Sequence, residues 1–205
     1  MTTSVPAYGQ SSFAFRRPVL ADRLPKSLVR DIVVVIGVAA AMSLLAQVSI
    51  KLPNNPVPVT GQTFGVLLSA AAVGPLRGIA GQLLYIAVGW AGLPVFASHG
   101  HGWAVLHGPL GGYLVGFLLA TLLVGWHARH GVDRRVDTLA GSYLLATALI
   151  YLPGVWWLAH AAHLSYTTAI AKGVAPFILG DLLKALIAGA LLPVAWKLVG
   201  DRKRS

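Results

Sequence analysis

The sequence has no cysteine and few charged residues, and each shortage excludes a class of protein. Without cysteine the chain forms no disulfide and no thiolate metal site. Charged residues make up 11% of its 205 residues, whereas soluble domains average about 25%. No Gly-rich loop ends in Lys-Ser or Lys-Thr, which argues against ATP binding through a P-loop. No Gly-x-Ser-x-Gly segment supports a hydrolase, and acids are too scarce for carboxylate-based catalysis, so we do not expect an enzyme.

Long apolar runs replace the missing charge. Hydrophobic residues make up 56% of the chain, and the stretches 32–50 and 139–152 contain no charged residue. Such runs are typical of membrane-spanning helices. We therefore predict an all-α integral membrane protein of six spans, the second of them unusually short. The predicted spans are 31–50, 62–74, 76–96, 110–127, 138–160 and 174–198.

The distribution of Lys and Arg predicts the orientation of these spans. Thirteen of the sixteen basic residues lie in the two tails and in the loops on the same side of the membrane. Only Lys51 and Lys172 lie opposite, and Lys184 falls inside a span. We predict that both termini are cytoplasmic, with a basic tail over 1–30, one six-helix domain over 31–200 and a basic tail over 201–205. The net charge of +10 is then explained by membrane topology and by contact with anionic lipid, so we predict no nucleic-acid partner.

The two predicted outer loops are rich in Pro and Gly. Residues 51–61 read KLPNNPVPVTG, and residues 94–109 read PVFASHGHGWAVLHGP. Pro restricts the backbone and Gly permits tight turns, so these loops suit lids over a cavity, although short surface connections would look the same. The histidines of the second loop lack a nearby carboxylate and make a weak metal site, so we predict no metal.

The last span, FILGDLLKALIAGALLP (177–193), contains an acid and a base. Asp181 and Lys184 are three residues apart and share one helix face. Each charge costs about 2.5–3.5 kcal/mol near the bilayer centre, so neither side chain should face lipid. The pair favours a ligand site, although a mutually neutralising structural pair, or a lysine reaching toward a head group, fits the same residues. A small solute with adjacent N–H donors and a carbonyl would satisfy both side chains.

Polar and aromatic side chains recur at helical spacing on the other spans. Rings offer apolar walls to a solute, and their hydroxyls need partners when buried. Ordinary helix packing or an interfacial aromatic belt would produce the same stripes. Small-residue pairs such as Gly112 and Gly116, or Gly37 and Ala41, predict close helix approach, either within the chain or to another membrane protein. The stripes comprise Gln82, Tyr85 and Gly89; Tyr143, Thr147 and Tyr151; and Tyr113 and Phe96 at the ends of two spans.

Five segments resemble the BioY family, the biotin-binding S components of energy-coupling factor (ECF) vitamin transporters. They occur in the family's order, and the resemblance runs over about 50–198. The first 30 residues lie outside it. The segments are PVPVTGQTFGVLL (56–68), VGPLRG (73–78), YIAVGWAGLPVF (85–96), HGPLGGYLVGF (107–117) and FILGDLLKA (177–185).

The resemblance implies a six-helix S-component bundle whose outward cavity is capped by the first outer loop. It implies high-affinity biotin uptake across a prokaryotic cell membrane, with no cofactor, together with a transmembrane coupling protein and two ATPases that hydrolyse ATP. Some family members are thought to work without that module. A stand-alone carrier, or an S component for another vitamin-like solute, is the alternative.

The resemblance also assigns candidate binding residues. It implies that Asp181 accepts from the ureido N–H groups of biotin and that Lys184 donates to the ureido carbonyl or a nearby acceptor. Relatives often carry Asn where this chain has Ser98, and a Thr-Gly-Gly-Tyr run is common where this chain reads HGPLGGY (107–113). A missing polar ligand would then lower affinity or be replaced by Ser98 or a water. The candidate substrate-binding residues are Asp181, Lys184, Tyr85, Phe96, Ser98, Gln62, Tyr113 and Tyr143.

Overall fold

The computed structural model of the chain describes residues 17–134 and 136–201. The predicted C-terminal tail therefore lies, apart from Asp201, outside the described residues, as does the first half of the N-terminal tail. Within the described residues the chain forms eight helices, which confirms the predicted helical class. They are α1 (Leu28–Gln47), α2 (Gln62–Val73), α3 (Pro75–Trp90), α4 (Trp103–His107), α5 (Gly111–Arg129), α6 (Val136–Ala161), α7 (Tyr166–Gly173) and α8 (Ile178–Asp201).

Four of these helices are long and apolar enough to cross a membrane. They correspond to α1, α5, α6 and α8. The helix α2 has only 12 residues, or about 18 Å at 1.5 Å per residue. The predicted six spans each contain one helix of the fold, but α2 and α3 are short, so the count of six crossings stays a prediction.

Two helix boundaries differ from the prediction for local reasons. The third predicted span was expected to reach residue 96, but α3 ends at Trp90. Gly92 follows with a φ of +107°, and a Pro comes two residues later, so the helix cannot continue. The sixth span was predicted to begin at residue 174, but α8 begins at Ile178, because residues 174–177 form a turn that contains Pro176. The separate helix α7, whose N-terminus is capped by Ser165, was not predicted.

The first outer loop is the tip of a short hairpin. Strands β1 (Ser49–Ile50) and β2 (Val59–Thr60) pair antiparallel, with Ser49 opposite Thr60. The pairing holds the two ends of the loop between Ile50 and Val59 side by side. The loop therefore leaves α1 and returns to α2 as one projecting unit.

Small residues bring α5 and α6 into contact. A Cβ added at Gly116 would lie 2.7 Å from the backbone of Ile150, and one at Gly112 would collide with the carbonyl of Pro153. Only glycine permits this approach, so the predicted packing role of this pair is confirmed. Gly37, by contrast, has nothing within 4 Å, and its pair does not pack α1 against the bundle.

Part of the predicted N-terminal tail packs on the bundle. Val19 has no exposed surface, and α1 already begins at Leu28, after the Ser27 cap. Asp22 accepts from Arg77 Nη1 at 2.8 Å and pairs with Arg129. The boundary expected at residue 30 therefore moves back, because buried apolar and ionic contacts fix the segment before it.

Four charged residues form what we call the N-terminal cluster: Asp22, Asp31, Arg77 and Arg129. Arg77 Nε also donates to Asp31 Oδ1 at 2.9 Å. Burial alone would raise the pKa of Asp22, but hydrogen bonds from Arg77 and Val19 and the charge of Arg129 outweigh it and hold the pKa below its ordinary value. The cluster ties the segment before α1 to the start of α3 and the end of α5.

The N-terminal segment also approaches the far end of the last helix. The guanidinium of Arg23 lies over the ring of Trp196, 5.3 Å from its centroid, and the indole N–H of Trp196 donates to Asp133 at 2.6 Å. Both ends of the described chain therefore lie at the same end of the bundle, together with the N-terminal cluster.

Candidate functional site

A cavity opens at the other end of the bundle, beneath the first outer loop. Residues of α2, α3, α5, α6 and α8 line it, and Val57 and Pro58 of the loop contribute to its wall. About 570 Å³ of empty space lies between its walls, a volume that includes open solvent at its mouth. Its lining is mainly apolar, with a few polar groups from α2, α6 and α8 converging on one side.

Asp181 lies in the first turn of α8 and is 4% exposed. Its Oδ1 accepts from Thr63 Oγ1 at 2.8 Å and from Lys184 Nζ at 2.9 Å. Its Oδ2 accepts from the hydroxyl of Tyr151 at 2.6 Å. The N-terminus of a helix favours negative charge, so position and partners together stabilise a carboxylate at the cavity wall.

Lys184 lies one turn further along α8 and directs its ammonium toward the same group. Besides Asp181, its Nζ donates to the carbonyl of Thr60 at 2.7 Å and to Thr63 Oγ1 at 3.1 Å. An ammonium has three N–H groups, and these contacts use all three. We call Thr63, Tyr151, Asp181 and Lys184 the cavity cluster.

The acceptor capacity of Asp181 is not used up by these contacts. A carboxylate offers about four lone-pair positions, two on each oxygen. Thr63 and Lys184 occupy both positions of Oδ1, whereas Tyr151 occupies only one of Oδ2. The cluster can therefore accept one further N–H donor at Oδ2 without breaking a bond. A carbonyl group could bind Lys184 only by displacing Thr60 or Thr63.

Aromatic rings form the opposite wall. Tyr85 and Phe96 meet edge to face, with centroids 5.3 Å apart and planes at 89°. The hydroxyl of Tyr85 accepts from Gln62 Nε2 at 2.8 Å, and the hydroxyl of Tyr113 donates to the carbonyl of Gly173 at 2.9 Å. Since these polar tips already have partners, the rings present apolar faces to a solute.

The structure brings six of the eight predicted binding residues to the cavity wall. Ser98 does not line it, although Phe96 and Ala97 do; its hydroxyl contacts Ser49 Oγ at 3.2 Å. Tyr143 is fully buried deeper in the bundle and donates to the carbonyl of Leu67 at 3.4 Å. The six are Asp181, Lys184, Tyr85, Phe96, Gln62 and Tyr113.

Sequence reasoning did not select two members of the cavity cluster. Tyr151 belongs to a recognised stripe on α6, but the stripe does not show that its hydroxyl reaches Asp181. Thr63 lies in the segment PVPVTGQTFGVLL, next to Gln62, and a hydroxyl at the start of a short apolar helix was the available signal. Neither contact follows from spacing, because the partners are 30 and 118 residues apart.

A metal site has little support in the described residues. Over 17–134 and 136–201, no three His, Asp or Glu side chains group as metal ligands. His107 instead stacks on Trp103, with ring centroids 4.0 Å apart. Among the residues that the structure describes, the only charged side chains at the cavity wall are the acid and base of α8.

The fold and site together define a helical membrane protein with an enclosed small-molecule cavity. The family comparison is more specific. The model of the BioY family matches residues 15–201, and the chain belongs to this family.

Curated relatives agree with the family match. The chain is 38% identical over 149 residues to the probable biotin transporter BioY of Pyrococcus horikoshii, covering 73% of this chain and 85% of the relative. It is 37% identical over 142 residues to the biotin transporter BioY of Thermotoga maritima, covering 69% of this chain and 82% of the relative.

A solved structure shares the fold. It is the crystal structure of the S-component for biotin from an ECF-type ABC transporter, with a TM-score of 0.75 and 22% identity. The match covers 84% of this chain and 95% of the solved chain. The chain therefore has the S-component fold.

Proposed function

We propose that this chain binds biotin at the cavity cluster and carries it into the cell as the substrate-specific subunit of an ECF-type transporter. The observation that carries the proposal is Asp181, a buried carboxylate at a cavity wall with one acceptor position unused. Biotin's ureido ring supplies N–H donors of the kind this position requires. The names of the curated relatives support the same solute.

The geometry favours different roles for the acid and the base. A ureido N–H would donate to Asp181 Oδ2, the oxygen that has room for it. Lys184 would hold the carboxylate in place, and it would reach the ureido carbonyl only by giving up Thr60 or Thr63. A solute without the N–H donor would exclude water from the carboxylate and leave one of its acceptor positions without a hydrogen bond. That loss would lower the binding free energy of such a solute.

The apolar walls fit the rest of the solute. Biotin's fused ring and valerate chain are largely apolar, and Tyr85, Phe96 and Tyr113 offer ring surface opposite the polar side. Burial of apolar surface contributes about 25 cal/mol per Å². The carboxylate end would point toward the first outer loop, the side from which the cavity opens.

The fold supports the remaining parts of the proposal. Both ends of the described chain lie at the end of the bundle opposite the cavity, so two cytoplasmic termini and an outward cavity are consistent with the predicted charge asymmetry. We propose six crossings of a prokaryotic cell membrane, with lipid around the bundle. A coupling protein and two ATPases would supply the energy, so the chain itself would hydrolyse no ATP and would need no cofactor.

A titration of the purified protein with labelled biotin tests the proposal. Wild type is expected to bind one biotin, and desthiobiotin, which keeps the ureido ring, is expected to compete. Thiamin and riboflavin should not compete at similar concentrations. Absence of biotin binding would contradict the proposal, and equal displacement by thiamin or riboflavin would favour a carrier for a different vitamin-like solute.

A further inference from the structure

The first outer loop is bonded across the cavity mouth to a distant helix. Its residues Val57 and Pro58 line the cavity, and Val57 is 4% exposed. Both ends of the loop are fixed by the hairpin of β1 and β2. The tip reaches α7, which comes more than 100 residues later in the chain.

Two reciprocal hydrogen bonds join the loop tip to α7. Asn55 Nδ2 donates to the carbonyl of Lys172 at 2.8 Å, and Lys172 Nζ donates to the carbonyl of Asn54 at 2.6 Å. Asn54 has a φ of +56°, a conformation that Asn tolerates better than most residues. Asn55 Oδ1 also accepts from the backbone N–H of Val57 at 3.0 Å, which orders the tip.

The helix α7, to which the loop tip is bonded, is itself bonded to the cavity wall. Gly173, next to Lys172, accepts from the hydroxyl of Tyr113, a wall residue of α5. The loop, α7 and α5 therefore form a continuous strap from one rim of the cavity to the other. Neither Asn55 nor Lys172 itself lines the cavity.

We propose that Asn55 and Lys172 form a latch that holds the first outer loop closed and sets the rate at which solute enters and leaves. The inference rests on the proposed function, since the solute used to measure it is biotin. The two residues are positioning residues, because they act on the solute only through Val57 and Pro58.

The position of the latch predicts a specific kinetic pattern. Its bonds involve no cavity group, so they form equally well with or without bound solute. Breaking them makes opening easier in both states. Association and release should then speed up together, whereas damage to the binding site would speed up release alone and weaken affinity.

Stopped-flow measurement of biotin association and release on the full chain tests this pattern. Lys172→Met and Asn55→Ala are each expected to raise both rates about tenfold, as for the loss of one good hydrogen bond, with the dissociation constant changed less than about threefold. Lys172→Arg keeps a donor and should restore much of the wild-type rate. Lys51→Met is the matched control, because Lys51 is an exposed lysine of the same loop outside the latch.

The absence of cysteine permits a second test. In the variant Asn55→Cys with Lys172→Cys, the two introduced thiols are the only ones in the chain. Joining them by a disulfide or a short thiol cross-linker should slow both association and release at least about a hundredfold, and a reductant should reverse the disulfide.

The outcomes separate the latch from the function it rests on. Wild type that fails to bind biotin contradicts the proposed function. Wild type that binds, with Lys172→Met and Asn55→Ala matching the Lys51→Met control, overturns the latch alone. So does cross-linked protein that exchanges biotin at the rate of the reduced form, or faster release with unchanged association.

Discussion

The N-terminal cluster and the cavity cluster both combine acids with bases, yet they are completed differently. In the N-terminal cluster each carboxylate meets two guanidiniums, those of Arg77 and Arg129 at Asp22 and those of Arg77 and Arg30 at Asp31. In the cavity cluster a single acid and a single base are completed by the hydroxyls of Thr63 and Tyr151.

Under the proposed function, the difference separates stability from recognition within one bundle. Arginine pairs with carboxylates as a rigid fork, so the N-terminal cluster is a fixed clamp on the segment before α1. The cavity cluster holds a carboxylate at the cavity wall and leaves one of its acceptor positions unused. The clamp should respond to mutation through stability, and the cavity cluster through affinity.

The largest effect should come from removing one charge of the cavity cluster, so that the other charge loses its partner. Asp181→Leu removes the carboxylate and strands Lys184, which should lower the free energy of unfolding by about 3–5 kcal/mol. Adding Lys184→Leu should recover most of that stability, because no charge is then unpaired. Neither variant should bind biotin. Thermal unfolding in detergent and biotin titration check these two expectations.

A double variant that folds and binds biotin like wild type would show that the pair is structural. Both clusters would then contribute to stability alone, and the claim that they have different roles would be wrong.

Tyr151→Phe should have the next largest effect, again on affinity. It removes one hydroxyl donor to Asp181 and leaves the ring in place, so the carboxylate is held less firmly. A hydrogen bond to a charged group contributes about 1.5–3 kcal/mol, and we expect biotin to bind about tenfold more weakly. Tyr166→Phe, on the exposed Tyr166 of α7, is the control. Equal affinities of the two variants would remove Tyr151 from the site.

Asp22→Asn should affect stability and leave biotin affinity unchanged. The amide keeps the shape of the side chain but loses its charge pairing with Arg77 and Arg129. We expect a loss of about 1 kcal/mol in the free energy of unfolding, the scale of a partly exposed ionic contact. A weakened biotin affinity in this variant would show that the two clusters are coupled.

Low pH should remove the difference between wild type and Asp22→Asn. The pKa of Asp22 is held below its unfolded value of 3.8, so its contribution is fully present above that pH. It is lost as pH falls through the lowered native pKa. Melting curves of the two proteins should be separated at pH 7, approach each other only below pH 3.8 and meet below the lowered native pKa of Asp22. A constant difference across this range would show that the charge of Asp22 does not matter.

Ser98→Ala should have the smallest effect. Its hydroxyl contacts Ser49 and does not line the cavity, so biotin affinity should change less than about threefold, below the loss of a typical buried hydrogen bond. A tenfold weakening in the same titration would mean that Ser98 reaches the solute and that the wall extends beyond Phe96.

The helical class was predictable from the sequence because apolar runs are a local signal. The same signal missed the helix breaks. The break between α7 and α8 lies in the turn at 174–177, which contains Pro176, and the end of α3 depends on Gly92 and Pro94. A hydropathy window averages these residues away. The packed segment around Val19 was also missed, since its partners belong to α3 and α5.

The candidate site was predictable only where a residue looked unusual in its own surroundings. A charge inside an apolar run marks Asp181 and Lys184, and this signal can be recognised without knowing which other helices surround them. The contribution of Thr63 and Tyr151 depends on which helices meet at α8. Tyr143 shares the stripe of Tyr151 but lies two turns further from the cavity end. Spacing alone cannot show which of the two tyrosines reaches the cavity.

The central claim is that Asp181 accepts a hydrogen bond from the bound solute. Parallel titrations of wild type and Asp181→Asn with labelled biotin test it most directly. We predict that wild type binds and that the variant binds at least about tenfold more weakly, a difference of about 1.4 kcal/mol. Equal affinities in two equally well-folded proteins would contradict the claim.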